Sequence, residues 1–404
     1  MSSYTGAPGI SNRWLIAAAG FTVELGLGTV YSWSVYRRPL SEQFDWSIPQ
    51  VTLAFSILIL TAGLVSVVGG LWARRAGPRR VAVCAGILYG AGVMLTALSA
   101  GHLPLLYLTY GVIAGAGLGL GYIVPIATLI NWFPDHRGLI AGVAVSGVAA
   151  GSAIASPVAA KLITSIGVLE TFAVLGAVYL LLVIAGALVL REPPPGYSPA
   201  GYVPRNEGTA SSGFDLRGAL RTWQWYVLWL VFFLNVIAGV GFISEGAPMA
   251  QELVGVSALV AAGLFGIVFI GDAIGRFTWP WLSDVIGTRT VLAAIFLLQA
   301  LLFASLSVTH SPALFSLLGT LVLFSYGGSS GTMAATTAGL FGARHAGSIY
   351  GLMLTAWGLG GVAGPLLVSA VRESTGTYTG ALRVIAAVML ASAVLPLIIQ
   401  RPRR

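Results

Sequence analysis

Twelve apolar runs, each about as long as a membrane is thick, leave this chain few ways to fold. A helix needs roughly 20 apolar residues to cross a hydrocarbon core of about 30 Å. Runs of that length lie near residues 14 to 36, 49 to 73, 80 to 100, 104 to 131, 138 to 163 and 168 to 190, then near 223 to 248, 256 to 283, 289 to 309, 312 to 341, 346 to 371 and 378 to 400. Inside a bilayer each backbone N–H and C=O must find its partner within the segment, so such runs become helices. The composition, 57% hydrophobic and 8% charged with a mean hydropathy of +0.89, excludes a water-soluble domain. An all-α membrane protein of twelve transmembrane helices is expected. The first run exceeds a signal-peptide core and others follow it closely, so it reads as a retained helix.

Between the sixth and seventh runs, residues 191–222 hold Pro193, Pro194, Pro195, Pro199 and Pro204 among Ser, Gly and scattered charges, the composition of a linker. Two six-helix halves follow, 1–190 and 223–404. They resemble each other weakly at an offset of about 209 to 210 residues: the loop around Arg74, Arg75, Gly77 and Arg79 is matched by the one around Asp284, Gly287 and Arg289, and Asp135-His136-Arg137-Gly138 by Arg344-His345-Ala346-Gly347. Pseudo-symmetric halves are a transporter signature, with the substrate site between them near the midplane. Twelve crossings put both termini on one side. Fifteen of the Lys and Arg residues fall on that side with the linker, five (Arg37, Arg38, Lys161, Arg372, Arg383) on the other, and Arg276 within a span. By the positive-inside rule the termini and linker are cytoplasmic and the chain is a multi-pass protein of the inner or plasma membrane. The net charge of +8 is therefore topological and implies no nucleic acid. The single cysteine, Cys84, offers neither a disulfide nor a thiolate metal site.

Charges inside the apolar runs are the strongest functional signal, because each costs several kcal/mol unless it is paired or faces a watery cavity. Asp272 and Arg276 stand four residues apart in Gly271-Asp272-Ala273-Ile274-Gly275-Arg276, on one helical face, where they can neutralise each other. Counted from Asp284, Arg276 is about 12 Å deep at 1.5 Å per residue. Either the two form a structural ion pair that locks helix packing, or the guanidinium is a planar fork for a carboxylate. Glu24 lies at similar depth in the first run and shares a face with Tyr31; it could be a proton site, a partner for a cation elsewhere, or a neutral buried acid. Glu245, nearer the end of the seventh run, is expected at an interface.

The loop from Trp281 to Arg289 carries an acid, a tight-turn glycine and a cation (Asp284, Gly287, Arg289) at a spacing that can cap and bridge two helix ends. It resembles the loop motif of the major facilitator superfamily. Within that superfamily the chain resembles the oxalate/formate antiporter and monocarboxylate transporter branch over nearly its whole length. The residues that carry this are Asn12-Arg13-Trp14, Tyr31 to Tyr36, Asn131-Trp132-Phe133-Pro134-Asp135-His136-Arg137-Gly138, Trp225 to Trp229, Gly275-Arg276 and Phe324-Ser325-Tyr326-Gly327-Gly328. The resemblance implies that Arg276 binds a substrate carboxylate, that Tyr31 and Tyr326 line the cavity, with Tyr122 a further candidate, and that Asp284, Gly287 and Arg289 form a gating loop. In the first half Arg74 stands where the motif has its acid.

Two departures from the oxalate antiporter narrow the substrate. That protein has no acid at the position of Asp272, which instead resembles the Asp and Arg pair of animal-type monocarboxylate transporters, and it carries a lysine in helix 11 where this chain reads Tyr350 to Trp357. One cation suits a monoanion better than a dianion. An arriving carboxylate would compete for Arg276, with a proton taken up on Asp272. The expectation is a monomeric secondary transporter of a small organic monocarboxylate, by proton symport or anion exchange, with no cofactor, metal or catalytic residue. An exchanger of another small organic anion such as oxalate or a dicarboxylate is the alternative. A distant one is an intramembrane serine hydrolase, from Gly327-Gly328-Ser329-Ser330-Gly331; it needs a base beside Ser329, whereas His102, His136, His310 and His345 all fall at helix ends or in loops.

Overall fold

A computed structural model describes residues 12–135, 137–194, 197–199, 214–342, 346–400 and 402. Among them twelve helices are long and apolar enough to cross a membrane: α1 Arg13–Phe44, α2 Ile48–Ala73, α3 Pro78–Leu98, α4 Leu103–Trp132, α5 Gly142–Ile166, α6 Val168–Val189, α7 Trp223–Val254, α8 Ala258–Ser283, α9 Thr288–Leu306, α10 Pro312–Met333, α11 Ile349–Thr375 and α12 Tyr378–Ile398. No strand occurs among the described residues. Most of the expected linker, and the motif positions His136, Arg344 and His345, lie outside them.

Local chemistry fixes the helix ends. Ser47 and Gln50 form a reciprocal capping box at the start of α2, and the Ser257 hydroxyl accepts from the Val260 N–H at the start of α8, each satisfying donors that a helix start leaves without partners. Gly77 joins α2 to α3 at φ +82° and Gly287 joins α8 to α9 at φ +88°, a backbone region that only glycine enters without strain. These equivalent turns stand at the offset read from the sequence repeat. On their outer faces the helices present leucines such as Leu181 and Leu301 to the surroundings, as a lipid-facing surface requires.

With lipid outside, helices associate through close packing rather than through hydrophobic exclusion. Small residues therefore set the approaches. Gly271 and Gly275 of α8 lie against the backbone carbonyls of Thr320 and Phe324 in α10, and Gly327 and Gly331 of α10 lie against Asp272 and Arg276 in return. The first six spans meet the last six where Gly63 of α2 faces Gly358 of α11 and where Gly142 of α5 faces Phe277 of α8.

One sequence expectation is corrected. Arg37, read as part of a loop beyond the first span, lies within α1, which continues to Phe44 through Pro39, and it is 1% exposed. An apolar-run criterion stops at the first charge, but here Glu245 of α7 supplies a counter-charge, and intramembrane proline is tolerated where neighbouring helices pack around it.

Candidate functional site

Arg276 and Asp272 are buried where α8 crosses α10. The guanidinium is 5% exposed and the carboxylate 0%; Arg276 Nε donates to Asp272 Oδ1 at 3.2 Å and Nη2 to Oδ2 at 3.0 Å. The two-point contact is the fork-on-carboxylate arrangement. It is held in place from α10, since a Cβ at Gly327 would overlap Asp272 Oδ1 and come within 3.1 Å of Arg276 Cγ.

A wall of aromatic hydroxyls and rings closes over the pair. Tyr31 sits in a 3-10 turn, Thr29–Ser32, that interrupts α1. Its ring stacks on Phe269 of α8 at 6.2 Å, and its hydroxyl stands 3.5 Å from that of Tyr326 in α10, the outer limit of a hydrogen bond. Trp357 of α11 donates from Nε1 to the Tyr326 hydroxyl at 3.3 Å and stacks on Tyr122 of α4 at 5.8 Å. Together with Phe232, Ser330, Tyr350 and Leu354, these residues and Arg276 line a cavity of about 10 Å³, room for about one water. A carboxylate ligand needs the walls to part.

Arg276, Asp272, Tyr31, Tyr326 and Tyr122 are thus brought together. Glu24 stands close enough to feel the charge of Arg276, but it makes no hydrogen bond there: it is fully buried where α1 packs on Gly147 of α5, and among the described residues neither carboxylate oxygen has a hydrogen-bond partner. Gly287 makes the α8–α9 turn and Arg289 is exposed beyond it, while the side chain of Asp284 lies outside the described residues. Ser329 is buried, and among the described residues its hydroxyl has no hydrogen-bond partner. Glu245 lies among α1, α2, α11 and α12. Sequence reasoning missed Tyr350, Leu354 and Trp357 as wall residues. The signal was the segment from Tyr350 to Trp357, read only for its lack of a lysine.

The motifs Asn12-Arg13-Trp14 and Asn131 to Asp135 meet away from this site. Arg13 Nη1 donates to both oxygens of Asp135 at 2.9 and 2.8 Å and lies 4.6 Å over Phe133, against which Trp14 packs at 5.0 Å. They staple the start of α1 to the end of α4.

A family model described as Major Facilitator Superfamily matches residues 14–365 and 247–404. The chain belongs to the Major Facilitator Superfamily. Its relatives agree with the branch read from the sequence, at low identity. It is 29% identical over 87% of its length to an uncharacterized MFS-type transporter, YhjX, of Escherichia coli (strain K12), covering 86% of that protein. It is 26% identical over 98% of its length to the oxalate:formate antiporter of Oxalobacter formigenes, covering 93% of it, and 27% identical over 91% to human monocarboxylate transporter 11, covering 78%. Among solved structures, a bacterial homologue of the human lysosomal transporter Spinster superposes with a TM-score of 0.70 at 19% identity, over 98% of this chain and 96% of that one. That likeness is one of fold. The superfamily and these relatives are transporters, and the chain is a multi-pass membrane transporter.

Proposed function

We propose that this chain is a secondary carrier of a small organic monocarboxylate such as lactate, pyruvate or formate, by proton symport or anion exchange. The observation that carries the reading is the buried two-point contact of Arg276 with Asp272 beneath a wall of tyrosines. A guanidinium so held is already shaped for a carboxylate, and the acid that occupies it is a competitor that a proton can remove. Tyr31, Tyr326 and Tyr122 then close on the substrate. Residues 1–190 and 223–404 act as two rigid halves joined by a cytoplasmic linker, 191–222, and alternate access around the site by rocking, with the Asp284, Gly287 and Arg289 turn as part of the cytoplasmic gate. Termini and linker face the cytoplasm across the inner or plasma membrane. The site is complete within one chain, which supports a working monomer.

The rival reading, exchange of oxalate or another dianion, draws on the likeness to the oxalate:formate antiporter. The deciding measurement is uptake of formate, lactate, pyruvate, oxalate and malonate into proteoliposomes, with and without an inward proton gradient. Monocarboxylate uptake is expected to accelerate with the gradient, and Arg276→Ala to abolish carboxylate binding. Oxalate counterflow that is fastest and indifferent to pH would overturn the one-cation argument.

A further inference from the structure

The largest buried charge cluster that the carboxylate site does not use lies toward the face opposite the termini. Arg37 of α1, 1% exposed, pairs with Glu245 of α7, which is fully buried. Arg37 also donates to the hydroxyl of Tyr378 in α12, which itself donates to Glu245 Oε2 at 2.6 Å. The Ser369 hydroxyl of α11 reaches Glu245 Oε1 at 3.0 Å and the Thr52 hydroxyl of α2 at 3.2 Å, and Thr52 stands 3.3 Å from the same carboxylate. The cluster joins the first six spans to the last six.

Its partners are divided unevenly. Glu245, Ser369 and Tyr378 all belong to the last six spans; Arg37 and Thr52 belong to the first six. When the two sets separate at this face, Glu245 keeps the Tyr378 and Ser369 hydroxyls, while Arg37 loses both of its partners. Its Nε has no acceptor even in the closed arrangement. A guanidinium cannot shed its proton to relieve this, so it is left bare beside the opening. It lies six residues along α1 from Tyr31 on the wall of the carboxylate site, about 9 Å at 1.5 Å per residue. Outside it, a pocket of about 450 Å³ lies along the same stretches of α1 and α7, lined among others by Arg38, Glu42 and Gln251.

We propose that Arg37 is a second carboxylate-binding site, masked by Glu245 while this face is shut and exposed when it opens, where the incoming anion takes the place of Glu245 before passing to Arg276. The proposal rests on the carboxylate reading of Arg276. Glu245 then has two tasks: it neutralises Arg37 in the closed state and, held back by Tyr378 and Ser369, releases it in the open one.

The test uses the full chain in proteoliposomes, with Ser34→Cys in a Cys84→Ser background as reporter. Ser34 is buried one turn from Arg37 and its hydroxyl has no partner. Glu245→Gln leaves Arg37 without a counter-charge, so labelling by an impermeant thiol reagent from the opposite face should rise at least about tenfold, a modest share of what unpairing a buried charge can shift. Arg37→Gln/Glu245→Gln asks the fold to bury no lone charge. Its labelling should return to within about threefold of the parent, while KM for pyruvate taken up from that face rises about tenfold or more and kcat is retained, as loss of one charge-assisted contact requires. Unchanged labelling in Glu245→Gln overturns the masking, and a parental KM in the double variant overturns the capture. Absence of any binding of pyruvate, formate or oxalate to the parent protein overturns the reading of Arg276 and the capture with it, a result distinct from the other two.

Discussion

A methyl group added at Gly63 should open the carrier toward the termini, and one added at Gly358, directly across the same contact, should do so far less. The asymmetry comes from the crossing of α2 and α11. A Cβ on Gly63 would stand 2.8 Å from Gly358 Cα, 3.1 Å from its N and 3.3 Å from Leu354 O, all backbone atoms, whereas the nearest atom to a Cβ on Gly358 is 3.3 Å away. Ordinary contact begins at 3.4 Å, so Gly63→Ala must push the two helices apart by roughly 0.6 Å while Gly358→Ala needs almost nothing. Overpacking of this kind costs about 1–3 kcal/mol, between about fivefold and a hundredfold in an equilibrium. Because α2 and α11 belong to different sets of spans, separation relieves the clash without unfolding. Gly63 is nearer the terminal end of α2 and Gly358 the terminal end of α11, so the gap forms on the termini side. The assay is labelling of Ser330→Cys, on the cavity wall, in a Cys84→Ser background, by an impermeant thiol reagent applied to that side. Gly63→Ala should raise the rate by about tenfold, within the range above, and Gly358→Ala by less than about threefold on the same scale. Equal rates in the two variants, or no rise in Gly63→Ala, would refute the argument that this crossing holds the closed state.

Arg276→Lys should bind carboxylates at least about tenfold more weakly than the parent despite its retained charge, because an ammonium is a point donor where the site presents a planar fork; calorimetric titration with pyruvate checks it, and parental affinity would mean that charge alone suffices. Gly287→Ala should lower folded stability by about 1–3 kcal/mol, since φ of +88° lies where an L side chain is strained, while Gly263→Ala, with open space around its Cβ, should be neutral or stabilising. Thermal unfolding of the two variants side by side separates them, and equal midpoints would refute the backbone argument.

The twelve spans could be read from the sequence because hydrocarbon thickness is a hard constraint that each run must meet alone. Asp272 and Arg276 were visible for the same reason: their cost is local, and so is their i, i+4 neutralisation. What the sequence hid is what depends on a distant segment. Arg37 looked like a loop residue because its counter-charge, Glu245, lies in another helix far along the chain. Tyr350 and Trp357 could not be placed on the wall until the approach of α11 to α4 and α10 was known. The segment from Gly327 to Gly331 was read from the sequence only as a hydrolase pattern and a family marker, whereas the structure shows that Gly327 and Gly331, with Gly271 and Gly275, bring α10 down onto the ion pair. Conversely, the motifs beginning at Asn12 and Asn131, which carried the family resemblance, turn out to staple α1 to the end of α4 through Arg13 and Asp135.

The ion pair also bears on how an empty carrier returns. With Arg276 against Asp272 the vacant site carries no net charge, so it can reorient without dragging a charge through hydrocarbon or across the membrane potential, the latter alone worth about 2.3 kcal/mol per charge per 100 mV. A bound monocarboxylate brings the Arg276–Asp272 pair to a net charge of minus one, and one proton on Asp272 restores neutrality; the count takes the neighbouring Glu24 as a neutral acid in both states. On the proposed monocarboxylate reading, net uptake should then require the proton and the empty return the pair. In Asp272→Asn the balance inverts: the loaded site is neutral without a proton, while the vacant site holds an unpaired guanidinium, whose burial costs several kcal/mol. The variant should keep carboxylate exchange within about threefold of the parent but lose proton-driven net uptake by about a hundredfold, the ratio that about 3 kcal/mol implies. Counterflow and gradient-driven uptake of labelled pyruvate, measured on the same proteoliposomes, separate the two. Proton-driven uptake that survives in Asp272→Asn would place the proton elsewhere, and exchange lost together with uptake would make Asp272 a structural partner that orients Arg276 rather than its competitor.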